Sequence, residues 1–179
     1  MNVTVKLADK NDFFIIKNFI PLFRQYIAEV YDELPNQYGV FSYDDSKTLA
    51  ELCDKRDKWV EETEQLFPFI IYAFEKPVGY VLISKIQPNS FEKGDYFVNA
   101  TYVVSPVRGK GIATAAMKKI FDMFSGDWEL HTNPTERNYK TQKFWRNLLN
   151  NYTNKNYSEF ITQTPDGDDK IIFRFKNTY

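Results

Sequence analysis

Apolar and polar residues alternate through residues 3–8 (VTVKLA), the period of a half-buried strand. The period then lengthens. Ile16, Phe19, Ile20, Phe23, Ile27, Val30 and Tyr31 recur three or four positions apart, the stripe of an amphipathic helix. Asp9 is placed to cap that helix, with Asp12 in its first turn. Pro21 falls inside the stripe, and its missing N–H and bulky ring predict a kink or two short helices. Residues 35–45 read as loop, and 46–66 as a charged surface helix with Leu49, Leu52, Trp59 and Leu66 turned inward. Apolar runs at 67–75 and 77–86 meet at Glu75-Lys76-Pro77 and predict a hairpin. A polar loop holding Pro88 and Gly94 precedes a third long strand, 96–104. An Ala-rich helix, a short strand (128–132) and a helix over 138–151 follow. A terminal hairpin, 157–162 and 170–176, turns at Thr164-Pro165-Asp166-Gly167. No repeat or linker interrupts the pattern, so residues 1–179 are expected to form one mixed α/β domain.

Composition narrows the options. A chain of 179 residues with 43% hydrophobic and 26% charged residues is ordinary for a globular domain. Its net charge of −1 carries no global footprint for nucleic acid or an anionic membrane. One cysteine (Cys53) and one histidine (His131) leave no internal disulfide and no zinc constellation. The opening residues lack a basic segment followed by an apolar one, and no stretch approaches 18 apolar residues. The expectation is a cytoplasmic protein with no metal, no nucleic-acid partner and no membrane partner. Oligomeric state is not legible.

The chemistry concentrates in VVSPVRGKGIATAAMKKIF, residues 103–121. An apolar strand ends at Ser-Pro, two glycines sit among Arg108 and Lys110, and a helix begins. N–H groups at a helix start lack intrahelical partners, and the helix dipole adds roughly half a positive charge there. A glycine turn lets those groups converge on an anion. Residues 107–113 therefore suit a diphosphate, with Arg108 and Lys110 adding charge at the same spot; the plainer reading is a tight strand-to-helix turn. A Walker loop would need Ser or Thr after Gly-Lys, but here Gly-Ile-Ala follows Lys110. A dinucleotide loop would need Gly or Ala where Thr114 stands. Glu129 falls near the ribose-binding distance, but too little chain follows it for that fold.

Arg108-x-x-Gly111-x-Ala113, opening an Ala-rich helix, resembles the acetyl-CoA pyrophosphate loop of the GNAT superfamily of N-acetyltransferases, Q/R-x-x-G-x-G/A. Asn138-x-x-Thr141-Gln142-x-Phe144-Trp145 resembles that family's N-x-x-A-x-x-F-Y helix, and the element order also agrees. QKFWRNLLNNYT looks most like a bacterial branch of predicted acetyltransferases. The resemblance implies an α+β fold with a mixed, mostly antiparallel sheet of about seven strands flanked by about four helices. It implies acetyl-CoA as cofactor, its pantetheine pairing with a bulged fourth strand at Tyr102, Val103 and Val104. The Val103 N–H would face the thioester carbonyl. Backbone amides of Arg108, Gly109, Lys110, Gly111, Ile112 and Ala113 would hold the diphosphate, with Asn138, Phe144 and Trp145 along the pantetheine.

The implied reaction is direct transfer to an amine of a small molecule or protein; the alternative is an acyl-CoA-binding sensor without turnover. The family's strand glutamate aligns with Ala100, so Asn99 and Thr101, expected on one face of the strand, are the candidates to orient a water. The family's acidic tyrosine aligns with Trp145; Tyr139 or Tyr152 could replace it. His131 reads as a hydrogen-bonded strand-end residue or a cleft base, and Glu33 and Glu92 as solvated loop carboxylates. Tyr26, Tyr31 and Tyr38 occupy the segment that shapes the acceptor site in the family. Cys53 reads as a half-buried helix residue.

Overall fold

In the computed structural model, which describes residues 2–177, the apolar runs become seven strands of one sheet. They are β1 (Val3–Leu7), β2 (Leu66–Ala73), β3 (Lys76–Lys85), β4 (Tyr96–Val103), β5 (Gly126–Thr132), β6 (Tyr157–Gln163) and β7 (Asp169–Asn177). Their spatial order is β1-β2-β3-β4-β5-β7-β6, and only β4 and β5 run parallel. The helices are α1 (Phe13–Tyr31), α2 (Leu49–Asp54), α3 (Ile112–Phe121) and α4 (Tyr139–Tyr152). The mixed, mostly antiparallel sheet with four helices agrees with the expected fold.

The sheet separates two apolar cores. Val81 and Ile83 of β3 point into the core shared with α3 and α4. Tyr80 and Leu82, one residue out of phase, point into the core shared with α1 and α2. Burial on both faces explains why the central strands read as nearly continuous apolar runs. Among the described residues, no helix is long and apolar enough to cross a membrane.

Three local expectations need correction. Pro21 does not divide α1, which runs 19 residues without interruption. Proline removes the N–H that would bond to the Lys17 carbonyl, and the Cys53 thiol on α2 points at that same oxygen at 3.4 Å. The half-buried cysteine thus partly replaces the lost donor. The long helix expected over 46–66 is also absent. Thr48 Oγ1 caps a six-residue α2 by accepting from the Glu51 N–H at 3.1 Å, a single 3-10 turn (Asp57–Val60) follows, and β2 starts at Leu66. Leu52 and Trp59 are buried as expected, but Leu49 is exposed and Leu66 belongs to the strand. Five polar residues, Glu61 to Gln65, leave no apolar face that would extend the helix. Finally, Asp9 binds the Asn11 N–H instead of capping α1, whose N-cap position is Asp12.

The feature that makes a site is a split in the sheet. β4 and β5 pair only through Tyr96–Trp128, Phe97–Glu129 and Val98–Leu130. Beyond that point β4 continues to Val103 with no ladder on its β5 side. The split starts at a bulge: Val98 faces Ile83 and Ala100 faces Leu82, leaving Asn99 as the extra residue.

Candidate active site

The split opens into a cleft of about 1640 Å³, lined by β4, the end of β5, α1, the start of α4 and the loop before α3. Val104 N donates to the Val78 carbonyl at 2.9 Å. By the alternation of an antiparallel ladder, the N–H groups of Thr101 and Val103 then point away from β3, into the opening. The Val103 carbonyl accepts from Arg108 Nε at 2.7 Å, and the guanidinium lies 4.5 Å over the Tyr26 ring and 5.3 Å from that of Tyr102. Tyr102 is itself buried beside Phe19, Phe23 and Tyr80. Burial pushes its phenol up, against the pull of Arg108.

The loop turns through a 3-10 segment, Ser105–Val107, in which the Arg108 N–H donates to Ser105 O. After that the backbone is open. The N–H groups of Gly109, Lys110, Gly111, Ile112, Ala113 and Thr114 have no protein acceptor among the described residues; the first helical bond runs from Ala115 N to Gly111 O at 3.0 Å. Gly109 and Gly111 have φ of +77° and +76°, and a Cβ on either would meet nothing within 4 Å. Their dihedrals demand glycine, while the space above them stays free.

The expected charge at this nest is arranged differently. Arg108 is turned inward onto the strand end, its amide is spent, and the Lys110 ammonium lies 5.6 Å over Phe74 in the β2–β3 turn. The positive character of the nest therefore comes from backbone amides of residues 109–114.

Asn138, Phe144 and Trp145 all line the cleft. Asn138 is buried, and its Nδ2 donates to Thr132 Oγ1 (2.7 Å) and Asn133 O (2.8 Å), pinning the end of β5 to the start of α4. Trp145 is 4% exposed within the α3–α4 core, its ring 4.7 Å from that of Phe144. Asn99 and Thr101 both line the cleft but do not share a face. Asn99 donates to Ser84 Oγ at 2.7 Å, while Thr101 Oγ1 packs 3.6 Å from Met117 Sδ of α3. The bulge breaks the two-residue alternation between them.

Tyr26 and Tyr31 face the cleft, and the Tyr26 hydroxyl meets Thr141 Oγ1 at 3.0 Å, joining α1 to α4. Tyr139 lines it as well, whereas Tyr38, Glu33 and Glu92 do not. Tyr152, bonded to Asp122 at 2.8 Å, lies outside it.

His131 stands near the end of β5. It lines the cleft, and its Nε2 lies 2.6 Å from Oε1 of the fully buried Glu129. Glu129 Oε2 accepts from Arg174 Nε at 2.5 Å and from the Lys93 N–H at 3.1 Å. Burial opposes ionisation of Glu129, but the hydrogen bonds from His131, Arg174 and Lys93 win and hold its carboxyl below the usual range. An ionised Glu129 takes the Nε2 proton in its bond, which leaves the lone pair on Nδ1. The sequence reading misses this role of Glu129. The signal was Glu-x-His, two residues that share one face of a strand.

The sequence profile of the acetyltransferase (GNAT) family matches residues 27–149, spanning the bulged strand, the glycine loop and most of α4. The chain belongs to this family. No curated protein matches it in sequence. Among solved structures, this GNAT chain is similar to an acetyltransferase from Thermus thermophilus, at 14% identity and a TM-score of 0.66 over 99% of this chain and 98% of that one. It is similar to the aminoglycoside acetyltransferase AAC(6')-Ib in complex with coenzyme A and kanamycin, at 15% identity and 0.65 over 98% and 95%. It also resembles a GNAT acetyltransferase from Bacillus cereus, at 15% identity and 0.60 over the full length of both. At these identities the likeness is one of fold.

Proposed function

We propose that this GNAT protein is an acetyl-CoA-dependent N-acetyltransferase that acts on a primary amine of a small molecule or protein, in the cytoplasm. The observation that carries the reading is the run of unpaired amides from Gly109 to Thr114, opening onto the cleft beside the unladdered half of β4. Such a nest suits a diphosphate. The edge of β4 past the split, where the Thr101 and Val103 N–H groups face the opening, suits an extended amide-bearing arm, which would add to it as a strand does. Phe144 and Trp145 wall that arm.

Acetyl-CoA supplies an acetyl thioester, whose carbonyl carbon the amine attacks while the C–S electron pair departs on sulfur. The Val103 N–H is aimed to stabilise the developing oxyanion, a role worth about 2.7–4 kcal/mol where such donors have been removed. An alkylamine with a pKa near 10.4 costs about 4 kcal/mol to deprotonate at pH 7.4. His131 Nδ1 is the cleft's candidate to take that proton, oriented by Glu129, and Asn99 is the candidate to hold an intervening water. Trp145 has no proton for the departing thiolate. A coenzyme A thiol is about as acidic as cysteine, near 8.5, so solvent can meet that need.

Trp145 is also the observation that favours a second reading, an acyl-CoA sensor without turnover. A thiol-release assay with acetyl-CoA over a broad amine panel separates the two. Release above background with at least one amine supports the transferase. Saturable acetyl-CoA binding with no release supports the sensor.

A further inference from the structure

Arg24 of α1 is 3% exposed, yet its Nη1 has no hydrogen-bond partner. Its other contacts are weak in geometry: Nε to Phe41 O at 3.4 Å and Nη2 to Glu33 Oε2 at 3.4 Å. The ring of Tyr43 lies against the guanidinium at 3.4 Å. A buried cation with an empty donor is destabilising unless something supplies the acceptor. Arg24 lines the cleft, and so does Arg56, half-buried after α2, whose guanidinium has no hydrogen-bond or ion-pair partner among the described residues. Tyr80 lines the same cleft; burial drives its phenol far up, and both arginines pull against that shift. Apolar walls of Ile20, Phe23, Trp59 and Leu82 complete this end of the cleft.

We infer that this α1–α2 end of the cleft is an oxyanion subsite, so that the acceptor is an amine bearing a carboxylate or phosphate held by Arg24 and Arg56. The inference rests on the transferase reading above and specifies its substrate. Guanidinium groups match both oxyanions by two-point hydrogen bonding. Glu29 and Glu136 line the cleft too and suit the ammonium end of such a molecule. A polycationic acceptor would instead place like charges beside Arg24 and Arg56.

The test is a thiol-release assay over amines matched in pairs: lysine with cadaverine, tyrosine with tyramine, and O-phosphoethanolamine with ethanolamine. The oxyanion-bearing member of at least one pair is expected to be favoured about 10- to 100-fold in kcat/KM, and which pair responds separates carboxylate from phosphate. Arg24→Met is expected to collapse that ratio through KM while acetyl-CoA affinity by calorimetry is retained. Arg56→Ala, at a less buried position, makes the same test should Arg24→Met fail to fold. Turnover without preference, or a preference that survives Arg56→Ala, would overturn the subsite. If acetyl-CoA binds but no amine turns over, calorimetry of the same pairs decides it: oxyanion-dependent binding lost in Arg56→Ala supports the subsite, and no such binding overturns it. Failure to bind acetyl-CoA at all overturns the transferase reading instead, and the same titrations on the free protein still judge the subsite.

Discussion

Arg108 Nε donates to the carbonyl of Val103 at 2.7 Å, so the arginine of the glycine loop is tied to the end of the strand that the loop follows. That carbonyl sits where β4 has lost its β5 partner, and the side chain supplies what the missing strand would have given. Hydrogen bonds to charged groups are worth about 1.5–3 kcal/mol. We expect Arg108→Ala to weaken acetyl-CoA binding by roughly tenfold or more, measured by calorimetry. Arg108→Lys should recover little, because an ammonium has neither the planar donor nor the face that rests on Tyr26.

Gly111 separates shape from charge. At φ +76° an alanine incurs about 1–2 kcal/mol of backbone strain but meets no atom. Gly111→Ala should lower thermal stability slightly and weaken binding modestly. Gly111→Asp should fold, yet lose detectable acetyl-CoA affinity, because its carboxylate would occupy the place of the diphosphate. Unchanged affinity in a folded Asp variant would refute the assignment of the nest.

Glu129 predicts a pH dependence whose sign is determined. Its folded-state pKa lies below its ordinary value of 4.5. The stability it contributes is therefore complete above about that pH and is lost as pH falls through the folded value. Removing one partner of a buried ion pair costs about 3–5 kcal/mol. Glu129→Gln should be destabilised by a comparable amount at pH 7, with the gap to the parent protein narrowing only in melts taken below about pH 4.5.

His131→Gln keeps a polar side chain of similar reach but removes the base. A lost general base typically costs 10²–10⁴ in rate, so kcat should fall by roughly that factor with acetyl-CoA affinity unchanged. Steady-state kinetics with any amine that turns over gives the answer. An unaltered kcat would remove His131 from the mechanism.

Gly79 tests the strand that braces the site. It pairs with Val103, and a Cβ there would collide with the Tyr102 carbonyl. Overpacking of this kind costs about 1–3 kcal/mol, and here backbone would have to move. Gly79→Ala should lower the melting temperature and weaken cofactor binding together, whereas an effect on melting alone would show the strand end to be independent of the site.

The parts legible in the sequence were those with a local cause. Strand alternation, the Gly109–Gly111 loop and the amphipathic stripe of α1 all depend on near neighbours. The misses came from distant partners. Cys53 on α2 answers the carbonyl that Pro21 orphans, and α1 runs on as one helix where the local pattern allows a kink or two short helices. The bulge at Asn99 is set by pairing with β3 and moves Thr101 to the other face. Arg174 meets Glu129 only because β7 lies beside β5. Arg24, four residues after Ile20 and three before Ile27, falls on the apolar face of α1 without being singled out in the sequence, and it is buried beneath Tyr43.

Cofactor binding as proposed depends on the peptide nitrogens of residues 109–114 receiving a diphosphate. The most direct measurement is a titration of the isotope-labelled protein with coenzyme A, followed by amide proton–nitrogen correlation spectra. The Gly109, Gly111, Ile112 and Ala113 signals are expected to shift most and to saturate together, at the affinity calorimetry reports. Saturable binding that leaves those four amides in place and moves others would contradict it.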